Sequence, residues 1–230
     1  MVEIGSRNLS LINFSDIVFK ADQITLNPAA VEKVDASFQF LKHFSTGKLI
    51  YGINTGFGPM AQYKISDENR LQLQYNLIRS HSSGMGNTIS PLLGRAVLLA
   101  RLNSLMQAHS GIHVSLVELL AAFINHNIVP RIYEHGGVGA SGDLVQLAHL
   151  GLNLIGEGKV WYESGWQDTA VVLKKNGLKP IEIQIREGPI CYQRHFSHDG
   201  YWSGQYLSCK KITGLVGYVL VHDKRNCRGL

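Results

Sequence analysis

The 230-residue chain is 45% hydrophobic and 17% charged with a net charge of +5, an ordinary globular composition long enough for one domain or two small ones around a real core. Before the last segment its basic residues show no Lys/Arg clustering of the kind that follows phosphates, no apolar run spans a bilayer, and residues 1–19 lack a basic region followed by an apolar core. Nucleic acid, membrane and secretion are therefore set aside, and a cytoplasmic protein acting on a small molecule is expected.

The hydrophobic periodicity predicts a mainly α fold. Asn27-Pro28 reads as an N-cap followed by a first-turn proline, opening a helix through Val31, Val34, Phe38 and Leu41. Tyr51-Gly52-Ile53-Asn54-Thr55-Gly56-Phe57-Gly58-Pro59 is too rich in glycine for a regular element and reads as a shaped loop. A helix follows from Asp67 to Ser80, with Leu71, Leu77 and Ile78 on its apolar side, and runs into Ser80-His81-Ser82-Ser83-Gly84. Ser90-Pro91 opens a long helical stretch through Leu98, Leu102 and Leu105, and Ser115-x-x-Glu118 reads as the capping box of the next helix, through Phe123. A helix from Asp143 to Ile155 closes at Gly156. Residues 159–162 and 170–173, separated by Glu163-Ser164-Gly165-Trp166, read as a small β-hairpin.

Between the last two helices stands the most informative stretch, Glu134-His135-Gly136-Gly137-Val138-Gly139-Ala140-Ser141-Gly142-Asp143-Leu144. Ala140-Ser141-Gly142 can cyclise on its own backbone: the Gly142 nitrogen attacks the Ala140 carbonyl carbon, water leaves, and Ser141 loses its hydroxyl to become an exocyclic methylene. The product is a methylidene-imidazolone (MIO), an electrophile built without an external cofactor. Gly142 lets the backbone bend back without a Cβ clash, Ala140 leaves the attacked carbonyl uncrowded, and Ser141 supplies the dehydrated side chain. Taken alone, the tripeptide reads as a helix start in which Ser141 or Asp143 caps free N–H groups. Gly137-x-Gly139-x-x-Gly142 also satisfies the dinucleotide-binding fingerprint, with Glu163 at about the expected ~20 residues. The segment before it, Val129-Pro130-Arg131-Ile132-Tyr133-Glu134-His135, carries a proline and two charges where a buried parallel strand needs an apolar run.

No metal site is expected. Among ten histidines, His109 and His113 stand four apart, but Gly111 interrupts the helix they would need and two ligands do not complete a zinc site. Cys191, Cys209 and Cys227 are odd in number and form no disulfide framework. They belong to a stretch after Gly188 in which aromatic, histidine and cysteine residues crowd together without helical or strand periodicity. Back-translation of 191–204 in a shifted frame permits Asn-Gly-Thr-Ser, and 208–215 in the same frame permits a second sensible string. Residues 1–188 are therefore expected to form the native part and residues 189–230 an aberrant, out-of-frame tail.

Several pieces in order resemble one family, the histidine and aromatic amino-acid ammonia-lyases. They are Tyr51-Gly52-Ile53-Asn54-Thr55-Gly56-Phe57-Gly58, Asn76-Leu77-Ile78-Arg79-Ser80-His81, Gly137-Val138-Gly139-Ala140-Ser141-Gly142-Asp143-Leu144, Gly177-Leu178-Lys179-Pro180 and Arg186-Glu187-Gly188. The resemblance covers residues 1–188 and implies the N-terminal part of the aromatic amino-acid lyase fold, with an MIO group from Ala140-Ser141-Gly142 and no external cofactor. By position it makes Tyr51 the general base that removes the substrate's β-proton, which requires lowering a pKa that is ordinarily ~10. It places Gly58 and Leu144 at the substrate pocket and gives Asp143 the helix cap. Ser80-His81 matches the pair of histidine-type members and suits an imidazole or a phenol hydroxyl. Gln146 stands where that type has proline, so tyrosine stays open as substrate, with histidine ahead as the family's commonest role.

The resemblance also implies what lies elsewhere. Family members draw an arginine for the substrate carboxylate, and further tyrosine, glutamine and glutamate groups, from a C-terminal half absent here. They assemble as homotetramers around a long helical bundle. The expectation is a truncated fragment that does not turn over substrate by itself. A reading of another class is a non-catalytic helical interaction domain; a nucleotide-binding oxidoreductase is the remaining alternative.

Overall fold

The computed structural model describes residues 1–6, 9–48, 50, 55, 67–137 and 144–183. Among these the fold is mainly helical, as the periodicity predicts, with small sheets clipped to its edges. The elements in chain order are β1 (Val2–Ile4), α1 (Leu11–Lys20), β2 (Ile24–Leu26), α2 (Pro28–Phe44), α3 (Asp67–His81), β3 (Met85–Thr88), α4 (Pro91–Leu105), α5 (Val114–Asn125), β4 (Val129–Pro130), β5 (Tyr133–His135), α6 (Leu144–Leu154), β6 (Lys159–Tyr162), β7 (Gly165–Asp168) and α7 (Thr169–Lys175). Residues 189–230, the expected aberrant tail, lie outside the described residues.

The helix starts follow the cap chemistry. The Asn27 side chain accepts the Ala30 N–H with Pro28 at the first helical position, and Ser90 accepts the Leu93 N–H ahead of Pro91. For α5 the capping box is not used. His113 is the N-cap instead, its Nδ1 accepting the Ser115 N–H. The imidazole reaches the free amide before the Ser115 hydroxyl is needed, and Ser115 becomes part of the first turn. With Gly111 in left-handed backbone before it, His113 does not share a helix with His109. At its far end α6 closes as predicted. The Gly156 N–H donates to Asn153 O and the Glu157 N–H to Leu152 O, with Gly156 at φ +85, the paired bonds of a Schellman motif.

The core lies between α4 and α5. Leu98, Leu99, Leu102 and Leu105 meet Leu116, Leu120, Phe123 and Ile124, all essentially inaccessible. The apolar faces of α1 and α6 join the same cluster through Phe14, Ile17, Ala148 and Leu154. Arg95 is the polar exception in this layer. Its Nε donates to Ile17 O, one of the carbonyls that the end of α1 leaves open, and its Nη1 donates to Asn127 Oδ1. Burial holds its pKa below the ordinary guanidinium value. Asn125, at the end of α5, exchanges two bonds with Ile24, its Oδ1 accepting the Ile24 N–H and its Nδ2 donating to Ile24 O. One amide thus stands in for a neighbouring strand and fixes the parallel β1–β2 pair to the helical core.

Two sequence expectations shift. Leu71, expected on the apolar side of α3, is 44% exposed, and the buried stripe runs through Gln74 and Ile78 instead. The β-hairpin exists, but its second strand is β7, pairing Tyr162 with Gly165 and Lys159 with Asp168. Glu163 and Ser164 both adopt positive φ, so a two-residue turn closes the hairpin. Residues 170–173 are then free to form α7, where Val172 and Leu173 are buried. The buried Asn153 ties the group together, its Nδ2 donating to Glu157 O, Lys159 O and Thr169 Oγ1.

Candidate active site

Of the residues the sequence puts at a site, Tyr51, Gly58, Ala140, Ser141 and Gly142 lie outside the described residues, as does Asp143. Leu144 opens α6, its side chain outside the description. Ser80 and His81 end α3 and are described. What the structure places are the two ends of the segment 138–143 and the elements that hold them.

Strand β5 delivers the chain to Gly136 and Gly137, and α6 takes it away from Leu144. These ends meet. A Cβ on Gly136 would lie 2.7 Å from Val145 Cγ1 and 3.4 Å from Gly84 Cα, and one on Gly137 would lie 3.1 Å from Gln146 Nε2. Gly136 sits at φ +131, so both its conformation and its clearance call for glycine. Strand β3 pairs antiparallel with β5, Met85 opposite His135 and Thr88 opposite Tyr133. The preceding Gly84 is wedged in turn: a Cβ there would lie 2.8 Å from His149 Nε2 and 2.9 Å from Tyr133 Cβ. Since β5 pairs antiparallel with β3, and β4 antiparallel with β6, the glycine fingerprint has no parallel strand before it. Glu163, its would-be ribose ligand, turns the hairpin and pairs with Lys175 at 2.5 Å. The dinucleotide reading is thereby corrected.

His149, which the sequence did not single out, is the polar residue at the centre of this junction. It is buried on α6, its Nε2 accepts the Gly84 N–H at 3.1 Å, and its ring lies 5.1 Å from that of Tyr133. Burial, seconded by the charge of Arg131, holds its pKa below the ordinary histidine value. The imidazole is therefore neutral near pH 7, with Nε2 as acceptor and the proton on Nδ1. Arg131 lies over the Tyr133 ring on one side and the Trp166 ring on the other. A histidine between Leu147, Ala148 and Leu150 was the only signal available, and its partner is 65 residues away in sequence.

At the end of α3, the Ser80 Oγ donates to Leu77 O at 3.1 Å and lies 3.2 Å from His81 Nδ1, which is 2.9 Å from the same carbonyl. A carbonyl only accepts, so Nδ1 carries a proton and donates it to Leu77 O. Gly84, against Gly136, brings this helix end to the base of the 138–143 segment. Arg79 forks onto Glu157, just beyond α6, with contacts from 2.6 to 3.2 Å. That bond raises the Arg79 pKa and fixes α3 beside α6. Among the described residues there is no cluster of three or more metal-ligating side chains and no helix long and apolar enough to cross a membrane.

Comparison with known proteins agrees with this arrangement. A family model described as aromatic amino acid lyase matches residues 9–190. The chain is 38% identical over 189 residues to a probable histidine ammonia-lyase of Thermoplasma acidophilum, covering 82% of this chain and 38% of that protein. It is 40% identical over 188 residues to a tyrosine 2,3-aminomutase of Chondromyces crocatus, covering 81% and 35%. A solved structure of histidine ammonia-lyase from Trypanosoma cruzi superposes with a TM-score of 0.75 at 32% identity, over 83% of this chain and 37% of that one. The chain thus spans 38% or less of the length of these relatives. Because the model match takes in most of its residues, and both the β3–β5 ribbon and the α6 start that frame the Ala140-Ser141-Gly142 segment fall within it, the chain belongs to the aromatic amino acid lyase family of ammonia-lyase and aminomutase enzymes.

Proposed function

We propose that this chain carries the electrophile-forming part of an MIO-dependent ammonia-lyase that converts L-histidine to urocanate. The observation that carries the reading is the pairing of the Ala140-Ser141-Gly142 sequence with a segment base pinned at Gly136, Gly137, Val145 and Gln146. Pinned ends favour the bent backbone that ring closure requires, by lowering the entropy lost on bending. In that closure the Gly142 nitrogen bonds to the Ala140 carbon, whose oxygen departs as water with the amide hydrogens of Gly142 and Ser141. Ser141 then loses its hydroxyl with its α-hydrogen as a second water. The finished group supplies an electrophilic carbon that turns the substrate's amine into a better leaving group.

The remaining roles belong to the side chains. Tyr51 takes the β-proton, Gly58 and Leu144 shape the pocket, and Ser80-His81 meets the substrate ring. The polar Ser80-His81 pair suits a substrate ring with a polar group, an imidazole or a phenol hydroxyl, and not a bare phenyl. The relatives named histidine ammonia-lyase support the same choice. A tyrosine substrate, giving p-coumarate, is the second reading, favoured by Gln146 in place of the proline of histidine-type members and by the 40% identical tyrosine 2,3-aminomutase. Residues 1–188 form the family part and 189–230 an out-of-frame tail. The assembly that goes with this reading is a cytoplasmic homotetramer.

Intact-mass measurement of the purified chain tests the core of this reading: a loss of two waters, mapped to the peptide spanning 140–142, is expected. An unmodified mass would leave the segment a helix cap and favour a non-catalytic helical domain. Mixing the chain with a family C-terminal half and assaying histidine and tyrosine then separates the substrates. Release of p-coumarate without urocanate would reverse the choice.

A further inference from the structure

The base of segment 138–143 is held by three contacts of different kinds. Val145 packs on Gly136, the Gln146 amide lies on Gly137, and His149 accepts the Gly84 N–H. The first two are close-packing contacts, which locate surfaces without direction. The third is a directed, part-buried bond, and it joins α6 to the residue that enters β3, the strand that carries β5 and hence Gly136. Its length of 3.1 Å is that of an ordinary N–H···N bond. A Cβ on Gly136 would lie 3.4 Å from Gly84 Cα, so the bond acts close to Gly136. Removing the acceptor would leave a half-buried backbone N–H without its partner and loosen the ribbon against the helix.

We propose that His149 is a positioning residue for the Ala140-Ser141-Gly142 segment: by accepting the Gly84 N–H it locks the β3–β5 ribbon onto α6 and holds the two ends of segment 138–143 at the spacing ring closure needs. This inference rests on the proposed function, since it concerns the making of the same electrophile. His149 stands a full turn beyond Leu144 and touches neither substrate nor the reacting atoms in this role. Tyr133, whose ring packs against His149 and whose Cβ flanks Gly84, closes the other side of the lock.

The test compares the 230-residue chain with His149→Leu, His149→Gln and Gly84→Ala, each assayed for the rate at which the two waters are lost from the 140–142 peptide. Thermal unfolding confirms that each variant is folded, and hydrogen exchange follows the Gly84 amide. Gln can present Oε1 as acceptor at about the reach of Nε2, whereas Leu fills the space without one. Expected are ring closure near the parent rate in His149→Gln and about tenfold slower closure in folded His149→Leu, the rate equivalent of one lost hydrogen bond. Gly84 amide protection should be lost in the Leu variant only. Gly84→Ala, which displaces the imidazole, should slow closure as well, and serves if His149→Leu does not fold. Parent-like closure in folded His149→Leu, or in folded Gly84→Ala, overturns the inference while leaving the function reading standing. A parent chain that never loses water overturns the function reading itself, and this inference with it.

Discussion

The α4–α5 layer is buried throughout, whereas the α6–β3–β5 junction is buried on its α6 side, at His149, and open along its ribbon, and the two are built from opposite materials. The first is a run of leucines with Phe123 and Ile124, interrupted by Arg95 alone. The second is assembled from glycines that allow backbone to approach side chain, and from a histidine bonded to a backbone N–H. Leucine packing is non-directional and depends on volume, so the first region needs only apolar residues of about the right size. The junction depends on single atoms at single places. The difference teaches that stability and site geometry are divided between two parts of one fold, and mutations should separate them.

The largest effect belongs in the leucine layer. Phe123→Ala should cost about 3–5 kcal/mol in chemical unfolding without altering the local geometry at Gly84, read from its amide exchange. A loss under about 1 kcal/mol would mean that the layer is not the stabilising core. Gly84→Ala should cost less, about 1–3 kcal/mol from overpacking against His149 and Tyr133, yet disturb the junction more. If both variants shift stability and Gly84 exchange alike, the division between the regions fails.

Acidification sharpens the comparison from the junction side. With its folded-state pKa depressed by burial and by Arg131, His149 refuses a proton that the unfolded chain accepts. Stability should therefore fall as pH drops below the unfolded value of about 6.5 and level off beneath the lower folded value. The groups that face it are Arg131 and Tyr133, while His135, on the same ribbon, is exposed. Comparing the parent with His149→Gln isolates the effect; identical slopes between pH 7 and 5 would remove His149 as its source. The smallest change is expected from Glu157→Gln. Its ion pair with Arg79 is about half exposed, and losing it should cost under about 1 kcal/mol, less still in high salt.

Local chemistry was legible where neighbours in sequence decide it. Asn27-Pro28 and Ser90-Pro91 start helices because cap and proline act within one turn, and Gly156 ends α6 for the same reason. Two local readings went astray where another local group competed. His113 took the cap that Ser115 and Glu118 had been expected to share. A two-residue turn at Glu163-Ser164 moved the second strand to Gly165–Asp168 and released 170–173 to helix. On α3, Leu77 and Ile78 fell on the core side as expected and Leu71 did not, and Gln74 is buried because its burial depends on what packs against it. Ser80 and His81 fell at the end of α3 and Leu144 at the start of α6, and Tyr51, Gly58, Ala140, Ser141 and Gly142 lie outside the described residues.

By itself the sequence determined the helix starts at Asn27-Pro28 and Ser90-Pro91 and the family motifs, the Ala140-Ser141-Gly142 tripeptide among them, because each is written in residues close together along the chain. The tertiary structure decided what braces that segment. Gly84, Gly136 and His149 come from a strand entrance, a strand exit and a helix, and nothing in their spacing says that an imidazole will meet that amide. That meeting follows from the packing of α3 against α6 and the pairing of β3 with β5. Only a folded chain can turn a histidine on an apolar helix face into the acceptor for a distant N–H.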